Sequence, residues 1–122
     1  MAITTTWSID DMKRKKSDGG VFLVYWSCLA GNVTGTNPDG TSVYNYTAIE
    51  GGKLRCEYNA SDADFIPYAD LTKNKVLGWV WNSLRKGNET ADEAKARIET
   101  ERKAKVQNKI DSASSDALGV PW

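Results

Sequence analysis

Few residues in this chain have the side-chain chemistry of a catalytic site. Its 122 residues include no histidine, which removes the usual general base and the Ser-His and Cys-His nucleophile pairs. The candidate nucleophile that remains is Cys28, one of two cysteines with Cys56. Cys28 lies in an apolar segment, where burial raises the pKa of a thiol and lowers its reactivity. We therefore expect no catalytic residue, no enzymatic activity, and two unpaired thiols that pack as small hydrophobic side chains.

The charged residues predict neither a metal site nor a nucleic-acid surface. Asp62, Asp64 and Asp70 lack the ligand spacing of a calcium loop, so we expect no bound metal. Residues 13–16 form the only basic cluster, but 16 basic residues balance 16 acidic ones and the formal net charge is zero. We interpret the basic cluster as part of a solvated edge strand, whose lysines oppose strand pairing, and we expect no nucleic acid as a partner.

Six paired or closely spaced glycines do not form a phosphate-binding loop. Such a loop joins a strand to a helix, whereas these glycines lie between segments that are all predicted to be strands. We therefore interpret them as turn residues and predict no cofactor. They are Gly19, Gly20, Gly31, Gly35, Gly51 and Gly52.

The chain has five tryptophans and five tyrosines, most of which we expect in the core. Trp122 differs because it follows Pro121 at the end of a small, polar segment. It either folds back onto its own domain or fills a pocket on a neighbouring molecule. Trp79 and Trp81 lie on either side of the apolar face of a predicted helix, which makes that helix suitable for deep burial or an interface. These four residues are the candidate partner-binding residues.

The elements that position these side chains begin with an antiparallel β-meander. Residues 3–9 alternate between larger and smaller side chains with the period of a half-buried strand. Residues 21–30 are apolar on both faces and predict the central strand. Residues 42–49 predict another strand and, after a Gly-Gly turn, residues 53–58 form a weaker candidate. We expect three to five strands within residues 1–60.

The second half of the chain predicts a helical hairpin over residues 70–111. Residues 70–72 offer an N-cap for a first helix, and Gly87 stands where its C-terminal stop is expected. Thr90 and Glu93 fit the capping box, in which hydroxyl and carboxylate satisfy each other's backbone N–H groups. They open a second helix that has only a narrow apolar stripe.

These segments together predict one α+β domain spanning residues 1–122. Residues 112–122 are interpreted as a short flexible arm with an aromatic tip. The longest apolar run, residues 21–26, is far shorter than the roughly 20 residues of a membrane span. Residues 1–7 lack the basic and apolar regions of a secretion signal. We therefore expect no contact with a membrane, and synthesis and retention in a cytoplasm.

Several motifs resemble a known group of proteins. The first motif is Trp7-Ser-Ile-x-x-Met-Lys, which is followed by the apolar residues 21–26. The second is Phe-Ile-Pro-Tyr-Ala-Asp-Leu-Thr at residues 65–72, which leads into Val-Leu-Gly-Trp-Val at residues 76–80. The third is the Pro-Trp pair at residues 121–122. In this order they resemble a family of small proteins of tailed bacteriophages, many of which infect marine bacteria and cyanobacteria. The segment over residues 65–80 is the most specific part. The chain departs from the family pattern after Ala30 and between Gly51 and Asp62.

The resemblance transfers no catalytic residue, because the family pattern carries no assigned activity. It implies a virion structural or accessory protein, decorating the capsid or associated with the tail, that docks on other virion proteins and associates with itself. Such a protein would be made in the cytoplasm of the bacterial host and reside in the virion. The alternative is a non-virion phage protein that binds and modulates a host or phage factor.

Overall fold

A computed structural model of the chain describes residues 2–115 and 119–121. Three strands come first and two α-helices follow, which confirms the predicted α+β class. The elements in chain order are β1 (Ala2–Arg14), β2 (Val21–Thr36), β3 (Ser42–Arg55), a 3-10 turn (Tyr68–Asp70), α1 (Lys73–Ser83) and α2 (Ala91–Ser115).

The three strands form one antiparallel sheet in the order β1-β2-β3, with β2 in the centre as predicted. Cys28 of β2 lies between Trp7 of β1 and Glu50 of β3. Because directly opposite residues share a face of the sheet, this register places alternate residues of the three strands on one side, except at the register shifts that follow Ile9 and Lys13 of β1 and that flank Val33 of β2. Two residues of the basic cluster, Lys13 and Arg14, lie in the edge strand β1 as expected, and the other two follow the end of that strand.

The interpretation of all six glycines as turn residues is wrong. Gly31 and Gly35 lie within β2, and Gly51 and Gly52 lie within a β3 that continues without a turn to Arg55. For Gly52 the physical reason is an aromatic contact: a Cβ atom there would lie 2.9 Å from the ring of Trp26 on the neighbouring strand. Glycine is required here by the space that the indole occupies and not by a chain reversal.

Both predicted helix starts are confirmed by their caps. The hydroxyl of Thr72 accepts the backbone N–H of Lys75 at 3.2 Å. Glu93 accepts the N–H of Thr90 at 3.0 Å, and Thr90 accepts the N–H of Glu93 at 3.1 Å. This reciprocal pair is the capping box, and it fixes the first turn of α2.

The predicted end of the second helix at Asp111, and with it the start of the arm at residue 112, is wrong. α2 continues to Ser115. Residues 112–115 contain neither proline nor glycine, so nothing in that segment interrupts the hydrogen-bond ladder. Of the remaining arm, residues 116–118 and Trp122 lie outside the described residues.

The core lies on one face of the sheet. α2 contacts all three strands and α1 contacts β1 and α2. A larger cluster includes Trp7, Trp26 and Val80, and a smaller one joins Ala30 and Ala48 to Val106 of α2. Among the described residues, no helix combines the length and the apolar composition needed to cross a lipid bilayer.

Candidate functional site

Trp81 belongs mainly to the interior of the fold. Its ring meets that of Trp7 edge-on, with 5.8 Å between centroids and an interplanar angle of 81°. Trp7 also packs against Trp26 with centroids 5.8 Å apart. The Lys95 ammonium covers the Trp81 ring at 4.7 Å. Most of the surface that Trp81 could offer to a partner is therefore already engaged by its own chain.

A partly buried carboxylate holds this aromatic cluster. Glu99 of α2 accepts the indole N–H of Trp7 at 2.9 Å and the hydroxyl of Thr5 at 3.2 Å. Burial raises the pKa of the nearby Cys28 thiol to about 11, and the carboxylates of Glu99 and Glu50 act in the same direction. The thiolate that a nucleophile requires is thus strongly disfavoured. Both cysteines are free thiols, as expected.

Trp79 lines a pocket of about 280 Å³. The pocket lies where the end of β3 and the segment that follows it meet the beginning of β2 and the helix α1. Val21 and Cys56 form part of its wall. We call it the aromatic–acidic pocket, because three aromatic side chains and three carboxylates line it. These six residues are Trp79, Tyr58, Phe65, Glu57, Asp62 and Asp64.

The aromatic wall of this pocket is held by Asp18. Tyr58 donates its phenolic hydroxyl to the Asp18 carboxylate at 3.0 Å, and its ring lies 5.5 Å from that of Phe65. Asp18 also accepts the backbone N–H of Gly20 at 2.8 Å. The Gly20 N–H and the Tyr58 hydroxyl hold the pKa of Asp18 below its ordinary value, so this carboxylate stays ionised and keeps both bonds at neutral pH.

The acidic residues that the sequence placed in one cluster separate in the structure. Asp62 and Asp64 line the pocket, whereas Asp70 lies in the 3-10 turn and is not part of its wall. Within residues 2–115 and 119–121, no group of three or more His, Cys, Asp or Glu side chains is arranged to hold a metal ion.

A second surface is the sheet face opposite the helices. Leu29 of β2 pairs with Ile49 of β3 on this face, and neither belongs to a core cluster. Ile49 is 62% exposed. Val33 and Tyr44, a pair farther along the same two strands, continue the patch. Leu29, Val33, Tyr44 and Ile49 together are called the open-face patch.

Gly31 makes the open-face patch flat. A Cβ atom on Gly31 would lie 2.3 Å from the Tyr44 ring, so the ring lies directly on the backbone of β2. The tyrosine therefore covers the strand instead of projecting from it.

The sequence reasoning missed most of these residues. Of the four candidate partner-binding residues, Trp79 lines the pocket, Trp81 packs against Trp7, Pro121 is exposed, and Trp122 lies outside the described residues. The sequence did carry a signal for the open-face patch: within residues 42–49, apolar side chains occur at both odd and even positions, so a strand formed there has apolar side chains on both faces. No comparable signal marks the pocket, because its wall comes from segments that meet only in the folded chain.

Comparison with known proteins gives one match. No curated protein and no solved structure is significantly similar to the chain. A family described as a domain of unknown function, DUF7936, matches residues 2–122. Since this match includes every strand and helix described above, the chain belongs to the DUF7936 family.

Proposed function

We propose that this protein is a non-enzymatic accessory protein of a bacteriophage virion, placed on the capsid or the tail, that acts by docking on other virion proteins and by self-association. The phage setting rests on the motifs of residues 7–13, 21–26, 65–80 and 121–122, which resemble those of tailed-phage proteins. The docking function rests on the open-face patch. The raised pKa of Cys28 and the lack of histidine favour binding over catalysis.

The single observation that carries docking is the exposure of Ile49 next to Leu29. A lone exposed apolar residue is common on soluble proteins, but here Ile49 pairs with the half-buried Leu29, and the half-buried Val33 and Tyr44 lie farther along the same strands. Such a group of apolar residues on one face is characteristic of an interaction site. The patch consists of side chains from two hydrogen-bonded strands, so it is rigid and loses little entropy on binding. Trp79, Pro121 and Trp122 remain proposed additional contacts.

The direct test of the virion setting is quantitative mass spectrometry of purified particles of the phage that encodes this chain. The number of copies is compared with that of the major capsid protein. A similar number would indicate capsid decoration, and a small number would indicate tail or portal attachment. Absence from the particles would contradict the virion proposal and favour the alternative, a phage protein that modulates a host or phage factor.

The contribution of the open-face patch is tested with Ile49→Lys. A buried isoleucine contributes about 1.5–3 kcal/mol, so we expect at least about a tenfold loss of incorporation into particles. Ala96→Lys adds the same charge to an exposed position of α2 and should leave incorporation unchanged. Equal incorporation of both variants would show that docking does not use this face.

A further inference from the structure

The aromatic–acidic pocket is distinct from the open-face patch, since no residue is shared between them. Its wall contains carboxylates but no lysine or arginine. Glu57, Asp62 and Asp64 are exposed, and none of them forms an ion pair with another of the described residues. No ion pair among the described residues offsets these negative charges, so the pocket attracts a cation and repels an anion.

The aromatic side chains favour the same kind of ligand. The face of an aromatic ring is the negative end of its quadrupole and attracts an ammonium or guanidinium group, most strongly for tryptophan. Trp79 and the Tyr58–Phe65 pair supply such rings in this pocket. The carboxylates and the aromatic rings of the wall therefore favour the same kind of ligand, which is a cation with an apolar stem.

The size and the remaining wall fit a side chain. A volume of about 280 Å³ is near the lower end of ligand pockets, too small for a nucleotide-sized molecule but adequate for a four-carbon chain with its ammonium group. Val21 and Ile66 provide aliphatic surface for the stem of such a side chain.

We infer that the aromatic–acidic pocket is a docking site for a basic side chain, lysine or arginine, of a partner protein. The occupant follows from charge complementarity between the carboxylates of the wall and a cation. The chain's own Lys15 does not line the pocket but lies in a neighbouring groove that shares Glu57 and Tyr58 with it. This inference goes beyond the proposed virion role and holds for any partner that presents an exposed basic residue.

The test uses the full-length, ¹⁵N-labelled protein and the peptide acetyl-Gly-Lys-Gly-amide. Binding is followed through the indole N–H signal of Trp79, which is assigned with Trp79→Phe, while the signals of Trp7 and Trp26 serve as internal controls. We expect a saturable shift at Trp79 with a millimolar dissociation constant. The same peptide with an acetylated lysine side chain should bind at least about tenfold more weakly, because acetylation removes the charge.

Two variants separate recognition from folding. The double variant Asp62→Asn/Asp64→Asn removes two charges with almost no change in shape. We expect it to bind the lysine peptide about tenfold more weakly, which is about threefold for each exposed carboxylate. Asp92→Asn removes a charge from an exposed position of α2 and should bind as the native protein does. The amide spectrum of each variant shows whether it is folded.

Three outcomes of the peptide titrations would overturn the inference. They are the absence of a saturable shift at Trp79, equal binding of the lysine and acetyl-lysine peptides, and unchanged binding by the folded double variant. Butylamine, which carries the same ammonium without a peptide, distinguishes a free amine from a side chain: tighter binding of butylamine than of the peptide would also overturn the assignment. None of these results depends on whether the protein enters virions.

Discussion

Trp26 and Tyr44 are accommodated because glycine stands beneath each ring. Both Gly52 and Gly31 lie on strands, with ordinary backbone conformations, and a Cβ atom on either would overlap the neighbouring ring. Glycine in a strand interior weakens the strand, and here the large aromatic surface that it allows to pack compensates for that loss. At the residue scale, these two glycines therefore shape both the core and the open-face patch.

Gly52→Ala should destabilise the protein by about 1–3 kcal/mol, because the new methyl group forces the buried Trp26 ring out of its position. Gly78→Ala is the matched control. Gly78 lies within α1, and a Cβ atom there would have no neighbour within 4 Å. Alanine at position 78 should be neutral or stabilising by up to about 1 kcal/mol. Urea unfolding of both variants checks the pair, and equal stability would contradict the steric argument.

At the scale of elements, the connection between α1 and α2 is organised by side chains that bond to backbone groups. Arg97 of α2 donates to the backbone carbonyl of Leu84, the C-cap of α1, at 2.9 Å and pairs with Glu89 at 2.9 Å. Glu89 also accepts the N–H of Lys86 at 2.8 Å. The end of one helix and the start of the next are thus held in one network.

The capping box of α2 should make a measurable contribution to stability. Thr90→Ala removes the acceptor of the Glu93 N–H, and we expect a loss of about 1 kcal/mol in the free energy of unfolding. Thr100→Ala, at an exposed interior position of the same helix, removes a hydroxyl where no cap is lost. Alanine is the better helix former there, so this variant should be as stable as the native protein or slightly more stable. Calorimetric unfolding distinguishes the two.

At the scale of the whole molecule, all packing occurs on one side of a three-stranded sheet. The two helices cover the face that carries Trp7, Cys28 and Ala30, and the described part of the chain leaves the opposite face with Ile49 in solvent. Antiparallel sheets tolerate such asymmetry because their exposed faces are usually polar. The apolar residues on this face are the exception that we attribute to docking.

The acid stability of the whole molecule should depend on Glu89. Arg97 and the Lys86 N–H hold the pKa of Glu89 below its ordinary value of 4.5, so ionised Glu89 stabilises the folded state above that pH. The stabilisation is lost as the pH falls from about 4.5 through the lower pKa of the folded state. Glu89→Gln should therefore be less stable than the native protein at pH 7, and the difference should shrink as the pH falls below 4.5.

Urea midpoints measured at several pH values check this expectation. Glu57→Gln, which removes the same charge from an exposed side chain with no ion pair among the described residues, should differ much less from the native protein. Midpoints of Glu89→Gln that run parallel to the native values at every pH would contradict a role for the ionised carboxylate.

Local patterns in the sequence were sufficient for the class of the fold and for where its strands and helices begin, but not for where they end. The apolar residues 21–30 predicted the central strand, and Thr90 with Glu93 predicted the start of α2. These features depend on neighbours in the chain, since period and capping are set within a few residues. The extent of β3 through Gly51 and Gly52 could not be predicted, because the Trp26 ring that requires glycine at position 52 comes from another strand.

The candidate sites were decided by tertiary structure alone. The sequence identified Trp79 as a residue for a partner and Asp62 and Asp64 as an acidic cluster, but it did not bring them together. That required the segment after β3 to fold against α1, with Tyr58 anchored to Asp18 forty positions earlier in the chain. The composition and periodicity of this chain determined which elements form. Contacts between distant residues, which no local pattern specifies, decide which side chains share a pocket and which face of the sheet remains open.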